Sequence, residues 1–302
     1  MKAIKKIDMH AHARPFEHIA PVYARDESFV CAREVIEFYD KLNIEKGVLL
    51  PLVSPEYHSF LVTSADCAHT AEKYPERFFW FCNIDPRSCG NRPDANFTPL
   101  LEYYKSLGSK GVGELTPQLY FDDPLMDNLL YHCAACDMPV TIHIAPHFGN
   151  CYGIVDDLGL PRLEKMLQKH KNLKIIGHSQ PFWAEIGNDV TNENRNSYLK
   201  GKVIEGKIAE LMRKYDNLYC EFSAGSGANA LMRDIEYAAK FIEEFSDRVL
   251  YGCDICQMFN TFQFDFDNFL TEMRTTGMIS EENYYKLVRG NAIKLLKLEG
   301  ME

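Results

Sequence analysis

Two histidines separated by one alanine close an apolar run near the N-terminus, in "KKIDMHAHARPF" from Lys5 to Phe16. Successive strand side chains point to opposite faces, so His10 and His12 share one face and look the same way. Neutral imidazole is a common ligand for zinc and its neighbours, and the small Ala11 leaves room for one ion between the rings. Two imidazoles do not complete a coordination shell, so the remaining donors must come from elsewhere in the chain. Four candidates stand out: Glu114 in "KGVGELTP", His143 in "VTIHIAPH", His178 in "IIGHSQP" and Asp254 in "LYGCDIC". Each is a metal-ligand or proton-transfer type, and each lies toward the end of a short β-rich run. The four imidazoles and Asp254, converging from strands one, five, six and eight, make a pocket for one or two borderline metal ions, whereas Glu114 taken alone reads more readily as a surface or salt-bridged carboxylate.

Bringing them together requires a particular set of elements. The runs "IKKIDMH", "IEKGVLLPLV", "RFFWFCNI", "KGVGEL", "MPVTIHI", "LKIIGH", "NLYCEFS" and "RVLYGCD" read as strands. Between them lie segments of helical period, including "SFVCAREVIEFYDKLNI", with Val35, Ile36, Tyr39 and Leu42 on one side. A second is "VIEGKIAELMRKYDNL", with Ile204, Ile208, Leu211 and Tyr215 on one side. Near-continuous apolar strands alternating with helices imply a parallel sheet buried on both faces. Eight such repeats predict an α/β fold, a (β/α)8 TIM barrel, with a doubly wound open sheet as the fallback. Barrels of this kind carry their chemistry at the C-terminal ends of the strands, where the candidate residues fall. The chain is expected to form a single domain over residues 1–302, with a polar, Asn-rich surface insertion around 187–202 after the sixth strand.

Composition narrows the classes of function. With 302 residues and a net charge of −10, the chain can bury a sizeable core, and it lacks the basic balance expected of a nucleic-acid binder. No charged start with an apolar h-region and no membrane-length apolar run is present, so a soluble cytoplasmic protein is expected. The ten cysteines then read as reduced, partly buried thiols. Cys133 and Cys136 have Cys-x-x-Cys spacing but fall at helical period with Leu125 and Leu129, which favours packing over a zinc site. Cys253 and Cys256 share that spacing and flank Asp254, and they are left out of the expected ligand set. The aromatic stretch "QMFNTFQFDFDNF" reads as a helix packed on the barrel, with an interface as the alternative.

The order HxH, Glu, His, His, Asp across eight strands resembles the amidohydrolase superfamily of metal-dependent hydrolases. Its nearest flavour is the amidohydrolase-related group that also contains aminocarboxymuconate-semialdehyde decarboxylase and resorcylate decarboxylases. The resemblance spans the chain, from "IDMHAH" through "MPVTIHIA" and "LKIIGHSQP" to "RVLYGCD" and the final "LVRGNAIKLLKL". It implies metal-ligand roles for His10, His12, His143 and Asp254, and for His178 either a ligand role or a substrate-facing catalytic one. Glu114 resembles the fourth-strand glutamate of the metal-dependent deoxyribonuclease branch. Many amidohydrolases carry a carboxylated lysine there, but Lys110 begins the strand, too far from its C-terminal end. If Glu114 reaches the cavity, its carboxylate bridges a second ion, and if it does not, the site holds one.

The chemistry that follows is hydrolysis of a small ester, lactone or amide-like substrate by metal-activated water. Asp254 takes the water's proton and passes it to the leaving group, while His178 hydrogen-bonds the developing oxyanion. Arg14, His147, Tyr152 and Trp183 are the candidate substrate-binding residues, Arg14 through bidentate contact with a carboxylate. The expected cofactor is a divalent metal, zinc first and manganese second, as one or two ions. The expected partner is a small-molecule substrate, with no nucleic acid and no membrane, and a homodimer is one option. The nearest rival chemistry is non-oxidative decarboxylation of an unsaturated or aromatic acid. A deoxyribonuclease-like hydrolase and a non-catalytic metal-binding barrel are the others.

Overall fold

The structure, a computed structural model, describes residues 3–20, 22–24, 27–57 and 61–301. Eight parallel strands form its frame: β1 (Lys6–Ala11), β2 (Ile44–Leu49), β3 (Phe78–Trp80), β4 (Val112–Leu115), β5 (Val140–Ala145), β6 (Ile175–His178), β7 (Leu218–Glu221) and β8 (Val249–Leu250). Six lie within the runs expected to be strands, and β1 and β5 extend one residue past theirs, to Ala11 and Ala145. β1, β2 and β3 pair in order, and β4 through β8 pair in order. Two seams join these groups. At the first, the Cys82 amide donates to Gly111 O at 3.0 Å and the Gly113 amide to Cys82 O at 2.9 Å. At the second, the Met9 amide donates to Tyr251 O at 3.0 Å and the Asp254 amide to His10 O at 2.8 Å. Hydrogen bonding thus runs around the whole ring, as in a TIM barrel.

Helices cover the ring: α1 (Ala32–Leu42), α2 (Ser64–Lys73), α3 (Thr98–Ser106), α4 (Pro124–Ala135), α5 (Pro161–Lys169), α6 (Lys207–Lys214), α7 (Ile235–Glu244) and α8 (Phe262–Thr275). α1 begins at a capping box in which the Cys31 amide donates to the Glu34 carboxylate, and it ends at Asn43 in the left-handed conformation. Its buried stripe is Val35, Phe38, Tyr39 and Leu42, with Ile36 only half-buried, so Phe38 takes the place expected for Ile36. α6 starts later than its apolar period suggests: Gly206 precedes it, and Ile204 is left 68 % exposed outside the helix. Two further helices, Gln180–Ala184 and Ala224–Met232, sit in the loops after β6 and β7.

Apolar packing occurs in two layers. Ile7, Met9, Val48, Leu50, Phe81, Ile176 and Leu250 come from opposite sides of the ring and form one cluster within it, joined by Ala292, Leu296 and Leu298 of the C-terminal segment. A larger cluster lies between strands and helices, and burying its aliphatic and aromatic side chains supplies the main folding force, at about 25 cal/mol per Å² of apolar surface. Cys133 and Cys136 are buried in that layer, as expected of packing thiols, and all ten cysteines are free. In the aromatic stretch, Phe266 packs into the same layer from α8. The Asn291 amide donates to Ser246 O and Val249 O, which fixes the segment "GNA" beneath β8. No helix among the described residues is long and apolar enough to cross a membrane.

Candidate metal centre

The C-terminal ends of β1, β4, β6 and the turn after β8 bring His10, His12, Glu114, His178 and Asp254 into one buried cluster. Two groups of donor atoms, His10 with Glu114 and His178, and His10 with His12 and Asp254, each lie within 4.8 Å of one another. The β1–β2 register shifts between Asp8 and Ala11, where β1 delivers its two histidines. Such an irregularity re-aims side chains at a site. Here the His10 and His12 Nε2 atoms meet at 3.0 Å.

The outward-facing ring nitrogens set the tautomers. His10 Nδ1 lies 2.9 Å from Glu221 Oε1, His178 Nδ1 lies 2.6 Å from the same oxygen, and His12 Nδ1 lies 2.9 Å from Leu50 O. Oxygen acceptors at these positions place the proton of each neutral imidazole on Nδ1 and leave Nε2 with a lone pair aimed inward. Two lone pairs facing each other at 3.0 Å need a cation or a proton between them. The surroundings make the same demand. Burial resists a charge on His10, but Asp254, Glu114 and Glu221 outweigh it and hold its pKa well above the ordinary value. Burial likewise opposes ionisation of Glu114 and Glu221, yet the neighbouring histidines hold both well below the usual carboxylate range. Three imidazole lone pairs beside carboxylates fit a divalent cation of the zinc and manganese type.

Glu114 is the hinge of the cluster. Its Oε2 lies 3.6 Å from His10 Nε2 and 3.4 Å from His12 Nε2, while its Oε1 lies 2.6 Å from His143 Nδ1 and 3.8 Å from His178 Nε2. One oxygen therefore faces the first-strand pair and the other faces the histidines of β5 and β6. Asp254 completes the first side, with Oδ1 3.7 Å and 3.6 Å from His10 and His12 Nε2, and its Oδ2 is 3.8 Å from His178 Nε2. The Cys256 thiol donates to Asp254 Oδ1 at 3.3 Å, and burial pushes that thiol's pKa well up. Neither candidate group among the described residues includes a cysteine.

The expected substrate-binding residues separate sharply. Tyr152 lines a cleft of about 350 Å³ above the cluster, together with His143, Asn150, His178, Tyr198 and Asp254. Its ring lies 4.7 Å from that of His143. Trp183 is not at the cleft: it is 1 % exposed, stacks on Phe222 and donates its indole N–H to Glu221 O, so it packs in the core. Arg14 is also misplaced by sequence proximity. Its guanidinium is held by Phe29 O, Glu17 O and the Glu34 carboxylate, which leaves it unsuited to gripping a substrate carboxylate. His147 is exposed in the loop after β5, with Nδ1 beside Phe148 O, and does not line this cleft. The oxyanion role for His178 meets a chemical objection, since Glu221 claims Nδ1 and a neutral Nε2 has no proton to donate.

Sequence reasoning missed two carboxylates. Glu221 ends β7 fully buried, where its Oε1 serves His10, His178 and the Ser223 hydroxyl and its Oε2 accepts the Ser223 amide at 2.7 Å. Its position at a barrel strand's C-terminal end was the available signal. Asp8 is buried too, and its Oδ1 accepts the His10 and Cys253 amides while its Oδ2 accepts the Tyr39 hydroxyl at 2.7 Å. Burial raises its pKa to about 7 against the pull of those donors.

Comparison with known proteins places this geometry. No curated protein sequence matches the chain. Among solved structures, an uncharacterized TIM-barrel protein from Bordetella bronchiseptica superposes with a TM-score of 0.65 at 17 % identity, covering 97 % of this chain and 99 % of that one. A dihydroxybenzoic acid decarboxylase from Polaromonas, solved with manganese and the inhibitor 2-nitroresorcinol, gives 0.60 at 19 % identity with 98 % of both chains covered. The probable 2-pyrone-4,6-dicarboxylic acid hydrolase of Acinetobacter baumannii, solved with citric acid, gives 0.58 at 15 % identity over 98 % of this chain and 100 % of that one. At these identities the structural likeness establishes the fold. The sequence model of the amidohydrolase family aligns with residues 7–298, nearly the whole length. The chain therefore belongs to the amidohydrolase family of metal-dependent hydrolases and decarboxylases.

Proposed function

We propose that this chain is a two-metal hydrolase acting on a small ester, lactone or cyclic amide. The observation that carries the reading is the split orientation of Glu114, with Oε2 toward His10 and His12 and Oε1 toward His143 and His178. A carboxylate that faces two sets of nitrogen donors suits a bridge between two divalent ions, zinc first and manganese second. His10, His12 and Asp254 would hold one ion, His143 and His178 the other. The ions would supply Lewis acidity, polarising a carbonyl and acidifying water near neutral pH.

The remaining work falls to the chain's own groups. Glu221 fixes the rings of His10 and His178 through Nδ1, so their Nε2 atoms stay aimed without reorganisation during turnover. Asp254, 17 % exposed at the base of the cleft, is the carboxylate placed to take a proton from water and return it to the leaving group. His178 serves as a ligand in this reading, because its Nδ1 proton is committed to Glu221.

Decarboxylation is the competing chemistry, since proteins named for both activities share the fold. Two measurements separate them. Elemental analysis of the metal-loaded protein should give about two ions per chain, falling to about one in Glu114→Gln. A panel of neutral lactones, esters and lactams, beside dihydroxybenzoates, should show acid release from the former and no carbon dioxide from the latter. One ion per chain in the unmodified protein, or carbon dioxide release without hydrolysis, would overturn the proposal.

A further inference from the structure

The cleft above the metal ligands has an outer wall that the hydrolytic chemistry leaves unused. Besides Tyr152, its walls include Asn150, Gln180, Asn196, Tyr198 and Ser226. These are carboxamides, phenols and a hydroxyl, all uncharged at neutral pH, and no lysine or arginine lines the cleft among the described residues. Two of the six, Asn196 and Tyr198, belong to the polar insertion at 187–202.

That insertion is fastened to the barrel. Arg195, 1 % exposed, turns away from the cleft and donates to Asp156 O at 2.9 Å, with Glu185 3.9 Å distant. The Gln180 amide donates to Ser197 O, and the Asn229 amide donates to Leu199 O at 3.0 Å. Arg233 donates to Lys200 O and Gly201 O and pairs with Asp189. The Tyr198 hydroxyl lies against Gly225 so closely that any side chain there would strike it. The insertion thus holds Asn196 and Tyr198 at the mouth of the cleft while its one buried arginine is spent on the barrel.

We infer that the substrate is uncharged, and that the 187–202 insertion selects it through the carboxamide of Asn196 and the phenol of Tyr198. A carboxylate on the substrate would give up part of its hydration against this wall and meet no lysine or arginine among the described residues, whereas a neutral ring gains stacking from the two tyrosines. A volume of about 350 Å³ suits a substrate of one or two rings.

The inference rests on the hydrolase reading but is tested apart from it. Dihydrocoumarin and its 6-carboxylate form a matched pair of lactones that differ in one remote charge. Metal-loaded protein should hydrolyse the neutral lactone with the higher kcat/KM, by roughly tenfold or more. Asn196→Arg, at an exposed position that tolerates a larger side chain, should shift the ratio toward the carboxylate by roughly fivefold, the worth of one partly exposed ion pair. Metal content should not change in that variant. If neither lactone turns over, calorimetric affinities of the two probes decide: preference for the neutral one upholds the selection while counting against hydrolysis. Equal affinities, no measurable binding of either, or preference for the carboxylate in the unmodified protein would overturn the inference.

Discussion

Replacing Glu221 by glutamine isolates the residue that orients the candidate metal ligands without touching the ligands themselves. Its Oε1 lies 2.9 Å from His10 Nδ1, 2.6 Å from His178 Nδ1 and 2.8 Å from the Ser223 hydroxyl, and its Oε2 accepts the Ser223 amide at 2.7 Å. A glutamine has one acceptor and one donor where the carboxylate has two acceptors. With its oxygen at the Oε1 position, the NH2 group confronts the Ser223 amide. Flipped, the NH2 group confronts both imidazole N–H groups, so either orientation buries an unmet donor. Partners of this kind typically tune metal affinity by about 10–100-fold, or about 1.4–2.7 kcal/mol. Leaving a buried donor unmet costs a further ~1–3 kcal/mol in the metal-free protein. Competition against a chromogenic chelator should therefore show weaker metal uptake by Glu221→Gln. At saturating metal, the stabilisation gained on loading should shrink by the same 1.4–2.7 kcal/mol or so, roughly 2–6 °C in Tm. A variant that loses metal-free stability but keeps full affinity would refute the argument, reducing Glu221 to a core hydrogen-bonding group.

Three further outcomes follow from the same geometry. Asp254→Asn should retain the fold and lower kcat by about 10²–10⁴-fold with a smaller effect on KM, and steady-state kinetics showing full activity would remove Asp254 from proton transfer. Gly47→Ala should destabilise the protein by about 2–4 kcal/mol in urea unfolding, because the new methyl group strikes the Tyr39 hydroxyl that holds Asp8, combining overpacking with loss of a hydrogen bond to a buried carboxyl. Burial raises the Asp156 carboxyl from 3.8 to about 6 despite the Leu163, Arg162 and Asp157 amides, so the folded chain holds that proton more tightly than the unfolded one. Its stabilising contribution is complete below pH 3.8 and lost as pH rises through about 6. Relative to Asp156→Asn, wild-type stability should fall by about 2–3 kcal/mol across that window, and parallel pH curves would contradict the assignment.

The strands were legible because a sheet buried on both faces writes itself as apolar runs, and the candidate ligands because charged or imidazole residues at the ends of such runs are conspicuous. His10, His12, Glu114, His178 and Asp254 reach one cluster for that reason, and His143 lies outside both donor groups but meets Glu114 through Nδ1. Arg14 and Trp183 show the limit of the method. Both follow candidate ligands closely in sequence, yet a few residues suffice to turn a side chain away, toward Glu34 in one case and into the core in the other. Glu221 was hidden for the opposite reason. In "LYCEFS" it resembles an ordinary strand-end acid, and its meaning appears only when ring closure carries His10 and His178 to it from distant strands. The insertion's inward Arg195 was equally invisible in an Asn-rich segment expected to lie wholly on the surface.

The carboxyl of Asp8 ties two ends of the chain together. It accepts the amide of Cys253, 245 residues away, at the place where the ring closes. The candidate ligands straddle that closure, with His10 and His12 on one side and Asp254 on the other. No fragment that lacks either the first strand or the turn after the eighth contains the full donor set, and a nascent chain cannot assemble it until Asp254 has emerged. Contacts of such long sequence separation form late and slowly. An ion held by His10, His12 and Asp254 would therefore tie the first strand to the turn after the last, across the seam where the ring closes.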